Sequence, residues 1–264
     1  MSQPIDELQG LNMTDRRIAV VTGASSGIGR AVVRHLAHQG AYVVAAGRRA
    51  GRLTELAEEL RTAPGRAVPV PGDIAQAGHT EELLAKAELE WGPADVFVAA
   101  AGQGLPGTVL GSDPERWQQL VEVNYLAMLR QLRVVGAEFR KRAEADGGAQ
   151  VRDIVVVGST VGRQVSAANP VYGSTKFAVH SLVEALRQEV CHYNIRVTLI
   201  EPGFVRSGFQ EAAGYDAAWF EAIAEENGPL LVPEDVADVV GYVIGRPSHV
   251  HLDDVRLRPT RQRP

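Results

Sequence analysis

The sequence predicts a three-layer α/β fold: a parallel sheet of seven strands with helices on both faces. Three observations predict it. Short β-branched runs alternate with longer helical patterns along the chain, a glycine-rich turn joins the first run to the first helix, and no linker, repeat or low-complexity tract divides the 264 residues. A parallel pair needs a long, right-handed crossover, so strands alternating with helices collect into one sheet covered on both sides.

Arg17 to Thr22 reads as the first strand and Gly27 to Gln39 as the first helix. Ala41 to Ala46 is strand two, Arg52 to Arg61 a helix, Ala67 to Val70 strand three, Glu81 to Trp91 a helix and Asp95 to Ala99 strand four. A long helix follows from about Pro114 to Ala145, then strand Asp153 to Val157, a helix from Val171 to Tyr193, and strand Arg196 to Ile200. Pro202 and Gly203 break the chain, and Phe204 to Gly228 reads as a mobile cover over a site, at about 204–228. Pro233 starts another helix, and Val250 to Leu257 completes the seventh strand. The expected organisation is an N-terminal extension, 1–16, and one domain, 17–264.

With 45% hydrophobic and 22% charged residues, the chain has the composition of an ordinary globular protein. A formal charge of -5 offers no general attraction to nucleic acid or anionic lipid. The local basic cluster, Arg256, Arg258, Arg261 and Arg263, reads as a solvated tail. Residues 1–17 mix Asp6, Glu7, Asp15 and Arg16 with a few apolar residues and lack a secretory core. No run approaches the ~18 apolar residues of a membrane span. The single cysteine, Cys191, excludes an internal disulfide, so a soluble cytoplasmic protein is expected.

Between strand one and its helix lies Thr22-Gly23-Ala24-Ser25-Ser26-Gly27-Ile28-Gly29. Such glycines let backbone N–H groups approach a pyrophosphate at a helix N-terminus, where the helix dipole favours negative charge. The spacing is G-x-x-x-G-x-G, which a purely structural strand-to-helix turn could also show. Gly23 to Gly27 matches the G-x-S-x-G elbow of a serine hydrolase as well, but that elbow draws part of its oxyanion hole from an earlier strand, and none precedes residue 17. At the end of strand two an NAD enzyme places a carboxylate for the ribose 2′-hydroxyl. Here Ala45-Ala46-Gly47-Arg48-Arg49 offers two guanidinium groups, suited to a 2′-phosphate. NADP(H) is therefore expected, with Arg48 the better candidate of the two; the competing reading is a pair of solvated arginines.

Tyr172 and Lys176 fall one helical turn apart on one face. An ammonium there favours phenolate, and acid–base work near neutrality asks for a fall of about 3 units from ~10, worth roughly 4 kcal/mol. Gly158-Ser159-Thr160-Val161-Gly162 sits just past strand five, at the strand end where open parallel sheets bind ligands. The glycine turn, Asn124, Ser159, Tyr172 and Lys176, with thirteen residues from Ser159 to Tyr172, resemble the short-chain dehydrogenase/reductase family in its order. Pro202-Gly203-Phe204-Val205 resembles that family's cofactor-contacting turn, and Asp73-Ile74 its adenine-contacting pair. The likeness spans residues 17–257.

The resemblance implies a doubly wound Rossmann fold and an oxidoreductase of the CH–OH group using NADP(H). Ser159 would hold the carbonyl oxygen, Tyr172 protonate it, Lys176 bond the nicotinamide ribose, and Asn124 anchor a water. Cofactor contacts would come from Gly23, Ser25, Ser26, Gly27, Ile28, Gly29, Arg48, Arg49, Asp73, Ile74, Ala100, Ala101, Gly102, Tyr172, Lys176, Pro202, Gly203, Val205 and Ser207. Two departures stand out. Ala99-Ala100-Ala101-Gly102 replaces the family's Asn-Asn-Ala-Gly, removing side-chain hydrogen bonds, whereas Ser207 keeps the hydroxyl of the usual threonine. The implied partner is a small carbonyl or alcohol, and the implied assembly a homotetramer or homodimer. A cofactor-binding sensor without turnover is the alternative.

Other chemistry-bearing residues read more plainly. His249 and His251 would share one face of strand seven without further metal ligands. Trp91, Trp117 and Trp219 are expected in core or cover. Gln103, Gln164 and Asn169 are candidate pocket residues.

Overall fold

The computed structural model describes residues 16–263. The expected extension, apart from Arg16, lies outside the described residues. Seven parallel strands form one sheet in the order β3-β2-β1-β4-β5-β6-β7. They are β1 (Ile18–Thr22), β2 (Tyr42–Gly47), β3 (Arg66–Pro71), β4 (Val96–Ala99), β5 (Arg152–Val157), β6 (Ile195–Pro202) and β7 (Asp254–Leu257). Because β1 is followed by β2 on one side while β4 takes the other, the order reverses beside β1, opening a crevice at the strands' C-terminal ends.

Side chains alternate across each strand, which divides the core into two layers. Ala19 and Val21 of β1 face helices α1 (Gly27–His38), α2 (Ala50–Glu59) and α9 (Pro233–Ile244); Val20 faces the opposite layer. That layer holds α3 (His79–Glu90), α5 (Ala127–Asp146) and α6 (Pro170–Val190), packed through Leu83, Leu132, Phe139, Val179 and Val183. Both faces of β5 and β6 are buried at every position, which explains the unbroken apolar run Ile154–Val157.

At the end of the sheet remote from the crevice, buried Asp153 accepts from Arg196 Nε at 2.7 Å and Arg17 Nη2 at 2.7 Å. Arg17 also pairs with Asp95. This network ties the starts of β1, β4, β5 and β6 together.

Several expected boundaries move. The long helix is interrupted: a single 3₁₀ turn, Pro114–Arg116, leads into α4 (Trp117–Val121), a π-turn spans Glu122–Leu126, and α5 begins only at Ala127. β6 runs through Pro202, since Gly203 N–H still bonds to Leu257 O. β7 starts at Asp254, so His249 and His251 precede the strand and do not alternate on it. No metal-holding cluster occurs among the described residues. The cover segment contains two helices, α7 (Phe209–Ala213) and α8 (Ala217–Asn227). The basic tail is not simply solvated: Arg258 donates to Gln164, and Gln262 Oε1 accepts from Phe204 N at 2.9 Å. No described helix is long and apolar enough to cross a membrane.

Candidate active site

The crevice opens into a cleft of about 850 Å³. At its floor the glycine turn follows β1. Gly23 has φ +70° and lies so close to the β4 loop that a Cβ would meet Ala100 and Ala101 backbone at 2.8 Å. A Cβ on Gly29 would lie 2.5 Å from Gly23 O, so only glycine lets α1 start this close to the strand. Ser26 is the N-cap of α1 but its side chain caps nothing, and no acid occupies the first turn. The helix therefore presents N–H groups and positive dipole to the cleft. An anionic pyrophosphate fits this cradle.

Ser25 Oγ is held by Arg49 Nε at 3.3 Å, and Arg49 Nη2 also reaches Ser25 O at 3.2 Å. The serine is thus part of a turn braced from β2. Arg48 and Arg49 are both exposed at the cleft edge. Asp73 and Ile74 line the same end, where Asp73 Oδ1 accepts from Ala75 N at 3.0 Å.

The Ala-Ala departure after β4 is offset by residues the motif reading did not single out. Thr22 Oγ1 accepts from Ala101 N at 3.4 Å and bonds Gln131 Oε1 at 3.2 Å. Thr22 and Gln131 are both buried, so the loop is braced from β1 and α5.

Tyr172 and Lys176 project from the first two turns of α6, which starts at Pro170 with its fixed φ. Both side chains are buried. The Tyr172 hydroxyl lies near Ser159, and its ring packs against Phe209 of α7 with centroids 5.9 Å apart. Burial pushes the Tyr172 phenol well above its ordinary range, nearby Tyr215 adds to the rise, and Ser159 works against it. In the chain alone desolvation is the largest influence on the phenol, so an acidified state depends on what the bound cofactor adds. Lys176 Nζ donates to Val157 O at 3.0 Å, and burial lowers its pKa to about 8.

Ser159 follows β5; its N–H points at His180 Nε2 at 3.5 Å. Burial first, then the charges of Lys176 and Arg163, lower His180 to about 4, leaving a neutral ring behind the serine.

Asn124 occupies the π-turn, where the extra residue turns its side chain inward. Its Oδ1 accepts from Gln103 N and its Nδ2 donates to Gln103 O, both at 2.8 Å, with a further bond to Thr175. Every other expected catalytic or cofactor residue lines the cleft; Asn124 stands one layer behind it, bracing the β4 loop. Gln103 and Asn169 also line the cleft, whereas Gln164 does not. Of the tryptophans, Trp91 packs on Tyr42, Trp117 bonds Ser112, and Trp219 stacks on Tyr215 in the cleft wall.

Sequence motifs did not mark His79, Arg116 or Gln262 as lining residues, because their approach depends on tertiary packing. His79 is buried with Nε2 unpartnered, its Nδ1 bonding Glu82 at 2.8 Å.

A glycine cradle at the reversal point of a parallel sheet opens onto a cluster of Ser159 with buried Tyr172 and Lys176, the arrangement of an oxidoreductase. Residues 17–217 match the short chain dehydrogenase family, and the chain belongs to it. It is 35% identical over 252 residues to "Dehydrogenase/reductase SDR family member 11" of Bos taurus, covering 93% of this chain and 97% of that protein. Among solved structures, a serine dehydrogenase complexed with NADP+ superposes with TM-score 0.82 at 31% identity, covering 93% of this chain and 96% of that one. A 3-ketoacyl-(acyl-carrier-protein) reductase from Brucella melitensis complexed with NADH gives TM-score 0.81 at 25% identity, covering 93% and 98%.

Proposed function

We propose that the protein is an NADP(H)-dependent oxidoreductase interconverting a carbonyl and a secondary alcohol, with Tyr172 as general acid and base. The observation that carries this reading is the convergence of Ser159, Tyr172 and Lys176 in the cleft that also holds the glycine cradle. The bound nicotinamide would exchange hydride with the carbonyl carbon. In reduction the carbonyl oxygen receives the Tyr172 proton, giving the alcohol and NADP+.

Burial keeps the phenol protonated through neutrality, the state a proton donor needs. Ser159 orients the substrate oxygen beside it, while neutral His180 keeps a second positive charge away from the serine. Lys176, held by Val157 O, is placed for a ribose hydroxyl, and its charge favours phenolate once the proton has left. Asn124 acts through the Gln103 backbone as a positioning residue. Arg48 and Arg49 support a 2′-phosphate, hence NADP(H) over NAD(H). Assembly as a homotetramer or homodimer is part of the same reading, resting on the family resemblance.

The convergence of Ser159, Tyr172 and Lys176 favours catalysis over a cofactor sensor, which has no chemical need for that set. NADPH oxidation with a panel of ketones and aldehydes tests the reading. Wild type should turn over at least one compound, and Tyr172→Phe should lose about 10²–10⁴-fold in kcat while binding NADPH normally. Undiminished turnover by Tyr172→Phe removes the tyrosine from the mechanism.

A further inference from the structure

The charges lining the cleft are unevenly placed. Its one acidic lining side chain among the described residues is Asp73, which follows β3 at the far end from Tyr172. Near Tyr172 the lining charges are Lys176, already bonded to Val157 O, and Arg116. Arg116 closes the 3₁₀ turn before α4, and its Nη1 donates to Ala213 O at the end of α7, 3.0 Å away. Among the described residues it has no ion pair. The guanidinium-bearing residue lines the cleft, where the one acidic lining side chain among the described residues, Asp73, stands at the far end.

Arg116 also lies on the catalytic side of the cleft. Its charge is felt by Tyr215, whose phenol burial pushes up and Arg116 pulls down. Tyr215 in turn acts on Tyr172. Asn169 donates to Tyr215 Oη at 3.0 Å, leaving its own buried Oδ1 unpartnered in the same wall. A part-buried guanidinium that lines the same cleft as Tyr172, without an ion pair among the described residues, favours an anionic ligand, and its planar fork matches the two oxygens of a carboxylate.

Building on the oxidoreductase reading, we propose that the substrate carries a carboxylate in addition to its reacting carbonyl or alcohol, and that Arg116 selects it. Because Nη1 binds Ala213 O, the same guanidinium joins that carboxylate to α7 of the cover segment. Neutral analogues of equal shape would leave the charge unmatched and bind more weakly.

The test compares acetoacetate and levulinate with their methyl esters, as NADPH-dependent substrates and by calorimetric titration into the enzyme–NADP+ complex. For at least one pair, wild type should favour the acid by about 10-fold or more, as expected of a charge-assisted hydrogen bond. In Arg116→Gln that ratio should fall to about one, chiefly through KM, and Arg116→Lys should restore part of it. No preference for either acid in wild type overturns the proposal. So does an equal loss for acid and ester in Arg116→Gln, which would make Arg116 a latch for α7 alone. If no carbonyl compound is reduced, the oxidoreductase reading fails; the titrations still decide the carboxylate site, since acid binding lost in Arg116→Gln supports it and equal or undetectable binding of acid and ester rejects it.

Discussion

The Lys176 Nζ stands 5.9 Å from the centre of the Tyr172 ring, both side chains buried on one face of α6. Burial acts on them in opposite directions, raising the phenol and lowering the ammonium to about 8.

That pair sets a pH dependence of folding. Lys176 takes up a proton less readily folded than unfolded, where its ordinary value is 10.5. Below pH 8 the folded chain carries the full cost of a buried ammonium; between about 8 and 10.5 the unfolded chain binds more protons, so stability rises with pH. Tyr172 has the opposite sign, but its contribution begins only above its unfolded value of 10.0. The lysine should thus add about 2 kcal/mol on going from pH 8 to 10. Urea unfolding of the cofactor-free protein checks this: Lys176→Met should lack that share of the slope.

Arg48 and Arg49 divide their work unequally. Arg49 is engaged by Ser25, whereas among the described residues no hydrogen bond holds the Arg48 side chain. Arg48→Ala should raise the KM for NADPH by about 10–100-fold, the loss of a charge-assisted bond, and barely change that for NADH. Equal changes with both cofactors reject a 2′-phosphate role.

Gly29 is where α1 meets its own strand. In Gly29→Ala the new Cβ would fall 2.5 Å from Gly23 O and 2.7 Å from Gly23 C. Backbone must shift, at a cost of about 1–3 kcal/mol. The phosphate cradle shifts with it, so NADPH binding measured by fluorescence should weaken sharply even below the melting transition. Normal affinity would show that the turn is only structural.

Asp153 neutralises two arginines remote from the cleft. Asp153→Ala should destabilise by about 3–5 kcal/mol, because Arg196 is left buried without its carboxylate while half-buried Arg17 keeps only Asp95. Chemical denaturation should show the loss, while affinity for NADPH in the remaining folded protein should be retained.

The readability of the site followed the range of the forces involved. The Gly23 to Gly29 turn and the Tyr172–Lys176 spacing are local, so residue order alone placed them. Asn124 was recognisable by resemblance, but its position behind the cleft depends on the π-turn at Glu122–Leu126, which a continuous 3.6-residue pattern conceals. The phenol's surroundings were hidden for a related reason: spacing shows that an ammonium is near, but not how little water surrounds both groups.

The sequence by itself determined the seven parallel strands, the glycine turn and the Tyr172–Lys176 spacing, because backbone periodicity and helical spacing are set within a few residues. Only the tertiary structure decided which side of each charge is desolvated and which distant residues close the cleft. Thr22 and Gln131 brace the loop after β4, Gln262 returns from the C-terminus to the Gly203–Phe204 turn, and Arg116 meets α7 across 97 positions of chain. Such contacts arise when two packed layers bring remote segments together, and no local pattern encodes them.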